Sequence, residues 1–223
     1  MPLNATLFDM DGLLIDSEIL WHKAEVEIFG TLGVPFETID GRKTKGVYVD
    51  EVVKYWRSIY PWEGPSNAEV VQILLTRVGE LVRTEGRLLP GAERTIALCA
   101  ERGPIALASS TPKPLILTLL DHFGLRDRFK SIHSADVEPY GKPHPGVFLS
   151  AAAALGVDPT ECLVFEDSPA GTLAGKAGRM TVVAVPVEED RSHPAIALAD
   201  LILDSLEDLD PAWLDARFSS KPS

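Results

Sequence analysis

The sequence predicts an α/β fold: a Rossmann-like parallel sheet covered by helices on both faces, with a helical segment inserted after the first strand. Short runs that are apolar on both faces recur along the chain, each ending in polar residues and followed by a helical pattern. Residues 17–86 break that rhythm with three helical stretches where a second strand is due. The 223 residues are 45% hydrophobic and 24% charged, enough apolar side chain for one α/β domain carrying an insert.

The first strand is Ala5-Thr6-Leu7-Phe8. Trp21, Ala24, Ile28 and Leu32 then recur at helical spacing, as do Val49, Val52, Val53 and Trp56. The third helix of the insert opens on Ser66-x-x-Glu69, a capping-box pattern, and continues through Val70, Leu74, Val78 and Leu81. A helix through Ala92, Ile96 and Cys99 stops at Gly103, before the strand Ile105-Ala106-Leu107-Ala108. Thr111-Pro112 reads as a helix start with a capping hydroxyl, followed by a stripe of Leu115, Ile116, Leu119, Leu120 and Phe123 that ends at Gly124. The strand Leu163-Val164-Phe165 leads to a second such start at Ser168-Pro169, with Gly178 as the stop. Thr181-Val182-Val183-Ala184-Val185 is the next strand, and Leu201-Ile202-Leu203 a weaker one. The expected division is 1–16 with 87–223 as the α/β core and 17–86 as the helical insert.

Composition excludes several classes. The formal net charge is −12, whereas gripping nucleic acid or an anionic membrane needs clustered Lys and Arg. A small anionic substrate needs only a local positive site and stays open. Met1-Pro2-Leu3-Asn4 starts no signal-peptide pattern, and no apolar run is long enough to span a membrane, so a cytoplasmic setting is expected. Cys99 and Cys162 lie in apolar segments without metal-type spacing; buried reduced thiols are expected, although sequence alone leaves a disulfide open. No heptad run demands assembly, and a monomer is expected. Residues 188–215 carry nine acidic side chains against Arg191, which places much of the negative charge after the last chemical motif.

The chemistry-bearing residues gather at strand ends. Asp9-Met10-Asp11-Gly12 follows the first strand, and ligands of open parallel sheets bind outside the carboxyl ends of strands. Side chains two apart on extended backbone share a face, so both carboxylates can converge, provided something positive is near. Two such aspartates also suit a solvated turn; their company decides. Glu166-Asp167 follows a later strand in the same way, and the combined carboxylates suit Mg²⁺. Acids there also suit a helix N-terminus, a task Ser168 can perform instead. Ser109 ends another strand, with Ser110 and Thr111 leading into a helix, a natural phosphate cradle as well as an ordinary cap. Lys142 is the basic residue of Tyr140-Gly141-Lys142-Pro143-His144-Pro145. Gly41-Arg42-Lys43-Thr44-Lys45-Gly46 imitates P-loop glycine spacing, but Val47 stands where that loop needs lysine, and no strand precedes it.

Asp9-x-Asp11-Gly12, Ser109, Lys142 in Gly-Lys-Pro and Glu166-Asp167-Ser168 together resemble the four ordered motifs of the haloacid dehalogenase-like superfamily, over the whole chain. Leu14-Ile15-Asp16-Ser17-Glu18, the Trp21 segment, Pro61-Trp62-x-Gly64-Pro65-Ser66 and Leu89-Pro90-Gly91 resemble, within it, bacterial 2-deoxyglucose-6-phosphate phosphatases, also described as hexitol or sugar phosphatases, close to the β-phosphoglucomutase-like subgroup. The resemblance implies that the insert is a cap. It implies Asp9 as nucleophile, Asp11 as acid and base, and Ser109, Ser110 and Lys142 around the phosphate. It further implies Mg²⁺ held by Asp9, the Asp11 carbonyl and Asp167, with Glu166 in a supplementary role. Glu18, Trp21 and Lys45 are the candidates for contact with a phosphorylated sugar or sugar alcohol. A β-phosphoglucomutase-type mutase is the alternative; that family has a histidine at the place of Trp21 and an arginine at that of Val49. A dehalogenase would lack Asp11, and a non-catalytic relative would be expected to lack one of Asp9, Asp11, Lys142 or Asp167.

Overall fold

A computed structural model describes residues 2–36 and 47–218. One six-stranded, wholly parallel sheet runs through it. Its strands are β1 (Ala5–Phe8), β2 (Ile105–Ser109), β3 (Ser131–Ser134), β4 (Cys162–Glu166), β5 (Thr181–Ala184) and β6 (Leu201–Ile202), in the order β3-β2-β1-β4-β5-β6. β1 is therefore flanked by β2 and β4, and Phe8 is in register with both Leu107 and Phe165. That register brings the residues just past these three strands to one level.

Period-two alternation divides the sheet's side chains between two cores. Phe8, Ile105, Leu107, Leu163, Phe165 and Val183 face α4 (Ala92–Ala100) and α5 (Lys113–His122). Ala5, Leu7, Ala106, Ala108, Val164 and Val182 face α6 (Gly146–Leu155) and α7 (Pro169–Ala177). Both cysteines are free and buried, and burial pushes each thiol up to about 12. Among the described residues no helix is long and apolar enough to cross a membrane.

Between β1 and α4 lie α1 (Glu18–Thr31), α2 (Val49–Ile59) and α3 (Asn67–Glu85). The capping box forms: the Ser66 hydroxyl accepts from the Glu69 amide at 3.3 Å, and the Glu69 carboxylate from the Ser66 amide at 2.8 Å. The expected stripes of α2 and α3 are buried. In α1 Ala24 of the expected stripe is buried, together with Leu20 and Phe29, while Trp21, Ile28 and Leu32 are only partly covered. Phe29 stacks on Phe36, which meets Trp56 edge-on. The two chain passages between helices and sheet are tied together, Asp16 N–H to the Arg87 carbonyl and Leu89 N–H to the Leu14 carbonyl, each at 2.9 Å.

Two expectations need correction. β3 was not expected, because Ser131-Ile132-His133-Ser134 offers one apolar residue in four; as an edge strand it is only half-buried and needs no apolar pattern. Thr111 does not cap α5: the capping position is Pro112, with no side-chain cap bond, and the Thr111 hydroxyl is used elsewhere. Of the acidic residues in 188–215, Asp200 and Asp204 adjoin β6, at the sheet edge farthest from β1 on that side, whereas Glu207 and Asp215 lie against α4, where Arg94 donates to the Glu207 carbonyl and Arg102 pairs with Asp215.

Candidate active site

The carboxyl ends of β1, β2 and β4 deliver Asp9, Ser109 and Glu166-Asp167 to one place, at the point where strand order reverses. Asp9 and Glu166 are buried, and Lys142 lies between them. Its ammonium donates to Asp9 Oδ1 at 2.6 Å, Glu166 Oε1 at 2.5 Å and the Ala108 carbonyl at 3.2 Å. An ammonium has three donors, and all are committed. The Phe148 ring lies 4.9 Å from the same nitrogen and closes the apolar side. Burial opposes the lysine's charge, but the coulombic pull of Asp9 and Glu166 wins and holds Lys142 protonated above lysine's usual range. Burial pushes the Asp9 carboxyl well above the usual carboxylate range; Lys142 opposes this, while Glu166, Asp167 and Asp11 reinforce it. The cluster is therefore short of positive charge.

Asp11 is held differently. Its Oδ1 accepts from the buried Ser17 hydroxyl at 2.6 Å and the Trp21 indole N–H at 3.1 Å. Its Oδ2 accepts from the Thr111 hydroxyl at 2.7 Å and, more distantly, from Ser109 at 3.4 Å. Sequence reasoning missed Ser17 and Thr111 as partners of this carboxylate. Their hydroxyl chemistry was visible, but the approach of Thr111 from the end of β2 is a tertiary fact. Trp21 reaches the site from the insert, so α1 helps fix Asp11.

Asp9, Glu166 and Asp167 each offer a carboxylate oxygen, these lying within 4.8 Å of one another, and all three residues are buried. Hard oxygen donors around uncompensated negative charge fit a small divalent cation. Gly12, at φ +74°, packs against this group: a Cβ there would lie 2.5 Å from Asp167 Oδ2. Glu166 has further duties, since its Oε2 accepts from the amides of Asp167 and Ser168 and from the Ser168 hydroxyl at 3.0–3.1 Å. Ser168 caps α7, accepting from the Gly171 amide at 3.0 Å.

Gly171 makes this packing possible. A Cβ there would sit 1.8 Å from Glu166 Oε1, which could not remain beside Lys142. Gly171→Ala is expected to cost about 3 kcal/mol of stability, through overpacking against a buried charged pair. Displacing the lysine is expected to lower kcat/KM about 100-fold. Denaturant melts and steady-state assays check both.

Ser110 Oγ is buried and, among the described residues, has no hydrogen-bond partner. Glu18 packs against Gly12, its Cγ 3.1 Å from where a Cβ would be. Lys45, with the rest of the basic stretch 41–46, lies outside the described residues.

Comparison with known proteins gives consistent results. Residues 3–179 match the family model described as haloacid dehalogenase-like hydrolase. Hexitol phosphatase B of Escherichia coli K12 is 45% identical over 207 residues, 92% of this chain and 93% of that protein. The crystal structure of CbbY from Rhodobacter sphaeroides, in complex with phosphate, superposes with a TM-score of 0.81 at 29% identity, covering 93% of this chain and 96% of that one. β-Phosphoglucomutase from Clostridium difficile shares the fold, with a TM-score of 0.82 at 24% identity over 97% of each chain.

Proposed function

This chain belongs to the haloacid dehalogenase-like hydrolases, and from that premise we propose that it is a Mg²⁺-dependent phosphatase of hexose and hexitol phosphates, 2-deoxyglucose 6-phosphate among them. One observation carries the reading: Asp9 is paired with a buried lysine inside an acidic cluster, and Asp11, two residues on, is held by four donors. The similarity to hexitol phosphatase B supports the substrate class.

The Asp9 carboxylate attacks phosphorus, and the bond from phosphorus to the sugar oxygen breaks, leaving an aspartyl-phosphate. Asp11 gives its proton to the departing oxygen, then takes one from the water that attacks the phosphoryl group and frees Asp9. The indole N–H of Trp21 can only donate, so Oδ1 of Asp11 is fixed as an acceptor. The transferable proton therefore rides on Oδ2, where the hydroxyls of Thr111 and Ser109 can rotate to accept it. Lys142 offsets the charge of Asp9 and contacts the phosphoryl oxygens by releasing its longest bond, that to Ala108. Ser109 and Ser110 complete that cradle. Asp9, Asp167 and the Asp11 carbonyl would hold Mg²⁺, with Glu166 at their side. The ion would supply charge neutralisation between nucleophile and phosphate. Residues 17–86 act as a cap over the core formed by 1–16 and 87–223, and Glu18, Trp21 and Lys45 border the leaving group.

Two residues set hydrolysis above the mutase reaction. The donor-only indole of Trp21 cannot relay a proton, and Val49 is buried and uncharged, so it cannot hold a second phosphate. His22 is exposed and lies by Phe36, with ring centroids 5.8 Å apart.

Phosphate release by the purified protein from a panel of sugar, polyol and nucleotide phosphates, with Mg²⁺ or with chelator, tests the reading. Hexitol and hexose phosphates are expected to give the highest kcat/KM, and chelation to remove turnover. Metal-independent turnover, or nucleotides as the best substrates, would overturn it. So would faster formation of glucose 6-phosphate than free phosphate from β-glucose 1-phosphate primed with the bisphosphate.

A further inference from the structure

We propose that Glu25 is the residue through which the helical insert recognises hydroxyl groups of the leaving group, an inference that rests on the polyol-phosphate reading above. Glu25 lies on α1, whose orientation is set by two ion pairs to α3, Lys23 with Glu85 at 2.6 Å and Glu27 with Arg77 at 2.8 Å. Glu25 is two residues from each, about 200° around the helix, and so on the flank turned away from α3. That flank carries Trp21, one turn earlier, whose indole reaches Asp11. Glu18, another turn back, packs on Gly12 beside Asp167. The side of α1 bearing Glu18, Trp21 and Glu25 is thus the side turned to the catalytic aspartates.

Glu25 lies about 6 Å along the helix axis beyond Trp21, comparable with the length of a hexose. One turn further, Phe29 stacks on Phe36 and closes this flank with aromatic carbon. Glu25 is therefore the last acidic position between Asp11 and that wall. Among the described residues nothing forms a hydrogen bond or an ion pair with it, and burial pushes its carboxyl up to about 8. A dehydrated acid without a partner weakens the fold, unlike its neighbours Lys23 and Glu27, which are paired. Its chemistry suits a polyol. An ionised carboxylate accepts from two adjacent hydroxyls, and a protonated one accepts from one and donates to another.

The test compares wild type, Glu25→Leu and Glu25→Gln on glucitol 6-phosphate and on p-nitrophenyl phosphate, with melting temperatures in parallel. Glu25→Leu is expected to reduce the ratio of the two kcat/KM values about 10- to 100-fold, chiefly through KM for the polyol ester, as hydroxyls lose their buried hydrogen-bond partner. Glu25→Gln, which keeps an acceptor and gains a donor, is expected to restore most of that ratio, and both variants are expected to melt above wild type. A Glu25→Leu ratio within twofold of wild type, or parallel losses on both esters with a lower melting temperature, would overturn the role of Glu25 alone. A wild type without preference for the polyol ester would overturn the substrate reading and this inference together.

Discussion

Asp9→Asn is expected to lower kcat about 10⁴-fold or more, the scale seen when a nucleophile is removed from a covalent mechanism, while leaving the fold intact. The amide has nearly the shape of the carboxylate but no charge with which to attack phosphorus. The fold should tolerate the change because Lys142 keeps its contacts with Glu166 and the Ala108 carbonyl. One negative charge also leaves a cluster in which burial and three neighbouring acids already work against Asp9. The melting temperature of the variant without added metal should equal or exceed that of wild type. Acid-quenched wild type should carry phosphate bonded to Asp9, and the variant should carry none. Turnover in the variant above a hundredth of wild type would sink the covalent mechanism, whatever the substrate panel shows.

What the sequence disclosed follows from the range of each interaction. β1, β2, β4 and β5 were legible because central parallel strands are apolar on both faces, and the polar residues ending them stood out by contrast. That contrast singled out Asp9, Asp11, Ser109, Glu166 and Asp167 as candidates, and Lys142, in its loop of glycine and prolines, stood out only in their company. β3 was not legible, since an edge strand need not be apolar. Nor were the roles of Ser17 and Thr111. A hydroxyl beside a helix start reads as a cap, and only the packing of β2 against β1 shows Thr111 reaching Asp11. The stripe along α1 was displaced for a similar reason. Trp21 fits a core-facing pattern by hydrophobicity, but its indole N–H needs an acceptor, and Asp11 supplies one. Gly171 gave no local sign, because its constraint is the Glu166 carboxylate rather than its own backbone.

Lys142→Met should have the largest effect on stability, with a signature that separates charge from packing. Methionine nearly matches the lysine stem in volume and can still pack on Phe148, so little apolar contact is lost. What is lost is the only cation bonded to Asp9 and Glu166 among the described residues, and their charges stay buried. Removing one partner of a buried ion pair costs about 3–5 kcal/mol. The pH dependence follows from the direction of the Asp9 shift. Burial already raises its folded-state value above the unfolded one, and Lys142 is what opposes this. Without the lysine the folded protein binds a proton more tightly than the unfolded chain, so stability is retained in acid and declines as pH rises through the raised value. The deficit of Lys142→Met against wild type should be smallest in acid, where Asp9 is protonated in both proteins, and widen as pH rises above the value at which Asp9 of the wild type ionises, as read from denaturant midpoints. Turnover should fall about 100- to 1000-fold with the loss of a preorganised charge beside the proposed nucleophile. Added Mg²⁺ should recover part of the stability, since any cation in the cluster offsets the same charges, but little of the rate, since it cannot replace the bond that orients Asp9. A stability deficit independent of pH would show that Lys142 acts through packing, and the electrostatic account of this site would then fail.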